Sequence, residues 1–231
     1  MTKKTLYTAI GRFAQRTSGC GRSCPVILLG RKEYSMDIQE MILWTNLNWR
    51  ILKHEEIGKI YEKMANNIGF SSERSWDMCV DRLLTRGLII SESGESEYDA
   101  LYDLLAPLSI IPADGSFVLR CLTFLKLTLL KHISFSAACK LFQKDSRTAD
   151  EAQVMQLARQ SLLSTAEIIK CVEKDIHYLP NERTLLDTLY DDTDTTSDNI
   201  ANTMKISTCT KPVVLAVANL YLRQQIIFER V

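Results

Sequence analysis

VDRLLTRGLIIS, Val80 to Ser91, is the stretch whose reading decides the fold. Val80, Leu83 and Leu84 fall on one face of a helix. Gly87 is placed to stop that helix, and Leu88-Ile89-Ile90 then reads as a short strand. The phrase returns near the C-terminus as VANLYLRQQIIFER, Val217 to Arg230. One shift carries Val80 to Val217, Leu83 to Leu220, Arg86 to Arg223, Ile89 to Ile226 and Ile90 to Ile227. The match is imperfect at the stop signal, where Gln224 stands in place of Gly87. A helix, a stop and an apolar strand written twice predict a duplicated unit.

Working outward, Val26 to Leu29 and Lys32 to Met36 predict a small hairpin turning at Gly30-Arg31. Asp37-Ile38-Gln39-Glu40 has the capping-box pattern, and the helix after it is expected to bury Ile38, Met41, Ile42 and Trp44. A second helix is expected over Glu55 to Ile68, with Gly69 as its stop, and a third from a cap at Ser71 or Ser72 through Arg86. Gly94 then falls at the turn of a hairpin built from 88 to 98. Past Pro107 and Pro112 the chain changes character. Phe117 to Phe142 reads as one long apolar helix, and the capping boxes Thr148-x-x-Glu151 and Ser164-x-x-Glu167 predict helices over 149–162 and 165–177. After Pro180 come Leu185, Leu186 and Leu189 in one helix, Ile200 and Met204 in a second, and Thr208 to Arg223 in a third. By this reading Ile57 and Ile200 correspond. The expected fold class is mainly α with small β-hairpins: two winged-helix units joined by a helical middle segment. The boundaries are a basic N-terminal arm over 1–24 (loose, or a short helix over Leu6 to Phe13), a first unit over 25–106, a helical linker or dimerisation segment over 107–178, and a second unit over 179–231.

The pieces EEIGKIY with SSERSWDMCVDRLLTRGLII, and SDNIANTMKISTCTKPVVLAVANLYLRQQIIF, resemble winged helix-turn-helix proteins, a broad class used by bacterial transcription regulators. The resemblance covers roughly 37–98 and 180–231. It implies that the third helix of each unit enters a major groove while the wing touches the DNA backbone, usually in a dimer on a two-fold site. The residues placed to act are Ser72, Arg74, Ser75 and Trp76 at the start of the first such helix, and Thr208, Thr210 and Lys211 at the start of the second. The basic arm adds Arg12, Arg16, Arg22, Arg31 and Lys32, which would neutralise phosphate. The resulting expectation is a cytoplasmic DNA-binding transcription regulator, acting as a dimer seamed along 117–142, with double-stranded DNA as its partner.

Charge supplies the counter-argument. The 231 residues carry 28 basic and 28 acidic side chains, a formal net charge of zero, so no global attraction draws the chain to nucleic acid. Residues 91–103 are acidic without a base, which sets a repulsive charge on the expected first wing. The third helix balances Arg74, Arg82 and Arg86 against Glu73, Asp77 and Asp81. These features favour an alternative: a winged-helix protein- or peptide-interaction module that binds no nucleic acid. Tandem winged helices serve as scaffolds in chromosome-organising complexes, and the front of the chain also resembles PqqD-type peptide-chaperone domains, in which a hairpin strand can pair with a peptide.

No catalytic signature occurs: neither a phosphate loop, nor Gly-x-Gly-x-x-Gly, nor Gly-x-Ser-x-Gly. The expectation is therefore no enzyme and no cofactor. The histidines His54, His132 and His177 lie outside any nucleophile or metal pattern. Cys20 and Cys24 form a Cys-x3-Cys pair that would need two more ligands to hold a metal, and flanking arginines could instead make it a redox sensor. The five aspartates of 187–198 lack calcium-loop spacing. Seven scattered cysteines, no secretion signal and no apolar run of bilayer length predict a soluble cytoplasmic chain with no membrane partner.

Overall fold

The computed structural model of the chain describes residues 3–17, 23–67, 69, 74–113, 147–179, 182–190 and 195–230. The expected basic arm is folded as strand: β1 (Lys4–Ala9) and β2 (Arg12–Thr17). Alternation explains this. Leu6 and Thr8 turn to one side of β1, Tyr7 and Ala9 to the other, and Leu6, Thr8 and Ala9 are all buried. Gly11, at φ +85°, swings the chain from one sheet to the next; a Cβ there would lie 2.7 Å from Leu28 O and 2.9 Å from Ile27 Cγ2. β3 (Ser23–Leu29) and β4 (Lys32–Ser35) make the expected hairpin, and with β2 they complete an antiparallel sheet in the order β2–β3–β4.

Helix α1 (Ile38–Leu47) opens on the expected capping box. Asp37 Oδ1 accepts from Glu40 N at 2.8 Å, and Glu40 Oε2 accepts from Asp37 N at 3.1 Å. It buries Ile42, Leu43, Trp44 and Leu47, whereas Ile38, expected inside, is 65% exposed. Helix α2 (His54–Asn67) buries Ile57, Tyr61 and Ala65. Helix α3 (Trp76–Thr85) is capped by Ser75 rather than by Ser71 or Ser72. Ala9, Ile27, Leu88 and Ile89 join these helices in one apolar core.

The expected hairpin over 88–98 does not form. β5 (Ile89–Gly94) pairs antiparallel with β1, from Ala9↔Ile89 to Lys4↔Gly94, and Ser96 then caps α4 (Glu97–Leu105). Of the acidic residues expected on a wing, Glu92 lies in β5, and Glu97 joins Asp99 in the first turn of α4, where carboxylates face the positive end of the dipole. β1 offers β5 a full-length ladder, which outcompetes a short local hairpin.

β6 (Ser109–Pro112) precedes the second half. There follow α5 (Ala149–Gln160), β7 (Leu163–Ser164), α6 (Thr165–Glu173), α7 (Glu182–Leu189), α8 (Ser197–Met204), α9 (Thr210–Leu222) and β8 (Ile226–Glu229). Both expected capping boxes form, at Thr148–Glu151 and Ser164–Glu167. The sheet order is β7–β6–β8. Thus the described residues are mostly helical with small antiparallel sheets. Helices α5 and α6, within the span expected as a linker, share a core with α9.

The two halves repeat one local plan. Tyr7 of β1 faces Leu52 on one side and Ser91 on the other, as Ile110 of β6 faces Leu163 and Phe228. Helix α2 opens with Lys53 N donating to Glu56 Oε2 at 2.8 Å, and α6 with Ser164 N donating to Glu167 Oε2 at 2.6 Å. Helices α3 and α9 end identically: Arg86 and Arg223 are the C-caps, Leu88 N reaches Leu83 O and Gln225 N reaches Leu220 O, each at 2.9 Å. Gly87 sits at φ +66° and Gln224 at φ +61°, so the glutamine adopts the glycine's left-handed turn. One correspondence changes. Ile57 is matched by the buried Ile168 of α6, not by Ile200, because α7 and α8 are inserted before α9.

The halves lock along the outer edge of β8. Gly11 N donates to Phe228 O at 2.8 Å, and Trp49 Nε1 to Ile226 O at 3.1 Å. The Tyr221 hydroxyl, buried in α9, accepts from Trp49 N at 3.0 Å and donates to Ala9 O at 3.0 Å. Thr8 Oγ1 lies 2.9 Å from that hydroxyl and 2.9 Å from Arg50 O, sharing one proton between them. An edge strand whose carbonyls are satisfied this way is closed to further pairing.

Candidate interaction surfaces

Glu40 closes the capping box of α1, and its side chain is only 2% exposed. A buried carboxylate must be paired, and arginines of α3 supply the charge. Arg82 Nε donates to Glu40 Oε1 at 3.2 Å and Arg86 Nη1 to Glu40 Oε2 at 2.7 Å, with the Arg86 guanidinium 5.9 Å from the centre of the Tyr34 ring. The second half repeats the clasp: Arg223 Nη1 donates at 3.2 Å to Oε2 of Glu151, whose side chain is 1% exposed. Arg74, at the head of α3, pairs with Asp37 at 2.9 Å. Burial pulls the Asp37 carboxyl up, but the Glu40 N–H and Arg74 outweigh it and hold the group below its ordinary range.

What the third helices turn outward is different. Helix α3 exposes Asp77, Met78, Asp81 and Thr85, together with Arg82, which is half exposed while it pairs with Glu40. The Tyr7 hydroxyl is pushed up by burial and then by Asp81 and Asp77, which marks a negative field on that side. Helix α9 exposes Lys211, Pro212, Leu215, Asn219 and Leu222, a largely apolar stripe with one cation.

The residues expected to meet DNA therefore fall into separate groups. Ser75 is spent on the α3 cap, accepting from Met78 N at 3.3 Å. Trp76 is half-buried: its ring lies 4.9 Å from that of His54, and a Cβ on Gly58 would come within 2.6 Å of its indole. Thr210 is buried, with its hydroxyl donated to Met204 O. Thr208 and Lys211 are exposed at the start of α9. Arg16 is held by Glu33 across the β2–β3–β4 sheet, Nε lying 2.9 and 3.0 Å from its two oxygens. Arg12, Arg31 and Lys32 are exposed, the last two at the tip of the β3–β4 hairpin. Arg22, Ser72, Cys20 and the helix expected over 117–142 lie outside the described residues.

Clefts open beside the β7–β6–β8 sheet. The first, about 400 Å³, is lined by Arg12, Trp49, Ile111, Pro112, Ile227 and Glu229. The second, about 500 Å³, is hydroxyl-rich, with Ser109, Ser164, Tyr190, Ser197 and Arg230 around Glu167. There the Tyr190 hydroxyl donates to Glu167 Oε1 at 2.5 Å. Cys79 and Cys171 are buried, and burial pushes both thiols up to about 12, so they serve as small apolar side chains. Among the described residues no group of three or more His, Cys, Asp or Glu is placed to hold a metal, and no helix is long and apolar enough to cross a membrane.

Reading the sequence missed the glutamate clasps and the Tyr221 junction. A signal for the clasps was present, since each capping box ends in glutamate and each repeated phrase carries an arginine at the same place. Tyr221 has no counterpart signal; its partners are distant in sequence. Comparison with family models, curated proteins and solved structures finds no match to this chain.

Proposed function

We propose that the chain is a protein-interaction scaffold built from two winged-helix units, and that it does not read duplex DNA through its third helices. One observation carries this reading. Arg82, Arg86 and Arg223 are engaged by the buried carboxylates of Glu40 and Glu151, and beside them α3 turns outward Asp77, Met78, Asp81 and Thr85 while α9 adds a single cation, Lys211, to a largely apolar stripe. Redirecting those arginines to phosphate would strand a buried carboxylate. Phosphate contact supplies nearly all non-specific affinity, and an outward face bearing Asp77 and Asp81 opposes it.

Fluorescence anisotropy with labelled random-sequence duplex DNA tests this at low salt. The expected result is no saturable binding by folded protein at about 50 mM salt, where a phosphate-contacting protein binds most tightly. Saturable binding that weakens with added salt and is lost in Lys211→Glu would sink the proposal. The second reading, a DNA-binding regulator, draws support from Arg12, Arg31 and Lys32, which are exposed together on the β2–β3–β4 sheet. In that case Arg12→Glu, and not changes in α3, would abolish binding.

A further inference from the structure

Strands β5 and β8 hold the same place in the two halves, yet only β8 has its outer edge closed. Ile10 N donates to Leu88 O at 3.1 Å, while Tyr7 spends its main-chain N–H and C=O on Leu52, at 2.8 and 3.0 Å. With Ala9 opposite Ile89, the alternation of an antiparallel ladder turns Leu88, Ile90 and Glu92 toward β1 and Ile89, Ser91 and Ser93 away from it. The counterparts of Ile89 and Ser91 on β8 are Ile226 and Phe228, whose carbonyls accept from Trp49 Nε1 and Gly11 N. On β5, no hydrogen-bond partner among the described residues meets the outward main-chain groups of Ser91 and Ser93. Glu92 and Ser93 are exposed and Ser91 is half-buried, so solvent reaches this edge. The chain itself leaves it bare, because α4 begins at Glu97 where a returning wing strand was expected.

Unpaired N–H and C=O groups on an edge are a template for another strand, and serine side chains let a second backbone come close. Charge then selects the strand. Glu92 and Glu95 are exposed on β5 and on the turn after it. Tyr7, opposite Ser91 in the register, has its hydroxyl pushed up first by burial and then by Asp81 and Asp77 of α3. The cations nearby are already opposed: His54 lies 3.2 Å from Asp77, and Arg230 acts on Glu92 against Asp103. Edge-to-edge pairing of two copies would bring Glu92 and Glu95 of both chains to one seam, which like-charge repulsion disfavours. A basic segment meets attraction at the same place. We infer that the open edge of β5 takes up a basic, extended segment of a partner protein as an added strand, where β8 instead has Gly11 and Trp49. The inference rests on the scaffold reading and names the partner's chemistry.

The test uses the full chain and a fluorescein-labelled peptide, KVKVKVK, which is basic and of strand-forming composition. Saturable binding is expected with a Kd on the order of 10–100 μM, as suits a small transient interface. Hydrogen exchange at the Ser91 and Ser93 amides should slow when the peptide is bound. The same peptide with every amide N-methylated should bind at least about tenfold more weakly, because main-chain hydrogen bonds hold an added strand. Ser91→Pro removes one outward N–H and leaves the ladder to β1 intact, so at unchanged circular dichroism it should do likewise. Peptide that fails to bind, that binds as well when N-methylated or with its lysines changed to glutamate, or that leaves the Ser91 and Ser93 amides unprotected overturns the inference. A dimer in sedimentation velocity that Ser91→Pro dissolves would give the edge to a second copy and overturn it too. A duplex DNA arm keeps the two readings apart. DNA binding that is lost in Lys211→Glu removes the scaffold reading, whereas failure of both probes to bind removes only the added strand.

Discussion

The Tyr221 hydroxyl ties three distant pieces of chain together: β1 through Thr8 and Ala9, the turn after α1 through Trp49, and α9 itself. Its ring stacks on Phe228 with centroids 4.3 Å apart, so Tyr221→Phe keeps the packing and removes only the polar partner. Equilibrium urea unfolding should show a loss of about 1–3 kcal/mol, the cost of leaving buried donors and acceptors unmet. Burial pushes this hydroxyl up to about 12 from its ordinary 10. The folded state therefore holds the proton more tightly than the unfolded state. Its stabilisation is complete below pH 10 and drains as pH rises toward 12, so the variant should lose part of the alkaline fall in stability. Gly11 is as tightly specified. Gly11→Ala forces a side chain onto Leu28 O in left-handed backbone and should cost about 2 kcal/mol or more in the same measurement.

At the scale of elements, the duplicated helix–turn–strand offers paired experiments. Gln224 adopts the left-handed turn without a glycine's freedom, so Gln224→Gly should raise the melting temperature, by up to about 1 kcal/mol of relief, while Gly87→Ala should lower it by a similar amount. The clasps differ in redundancy. Glu40 is met by two arginines, Glu151 by Arg223, with Asn219 standing where the first half has Arg82. Arg223→Ala should therefore destabilise more than Arg82→Ala, by about 3 kcal/mol against about 1 kcal/mol, because only the former leaves Glu151 without that arginine. The caps are linked to pH as well. With the Asp37 carboxyl held below its ordinary 3.8, its contribution is present above that value and lost as pH falls through the lower folded one. Asp37→Asn should flatten this acid limb.

Across the whole molecule, the halves are not beads on a string. Ile10 and Tyr102 of the first half belong to the same apolar cluster as α5, α6 and α9, and β8 is closed by donors from Gly11 and Trp49. Shared burial of this kind couples unfolding. Trp fluorescence, with Trp44 and Trp49 in or against the two cores, should give the same urea midpoint as far-UV circular dichroism. Separate transitions would show that the junction contributes little.

Sequence periodicity and local capping chemistry determined most of the helices, all three expected capping boxes, the Gly30 hairpin and the repeated helix–turn–strand, because each depends on residues within a few positions of one another. Tertiary structure alone decided the partner of β5, the strands at 4–9 and 12–17, the pairing of the arginines with buried glutamates and the match of Ile57 to Ile168. Those outcomes depend on pairing across long separations. Whether Glu92, Glu95 and Glu97 lie on a wing or lead into a helix is settled by a strand some ninety residues earlier, and no local pattern contains that information.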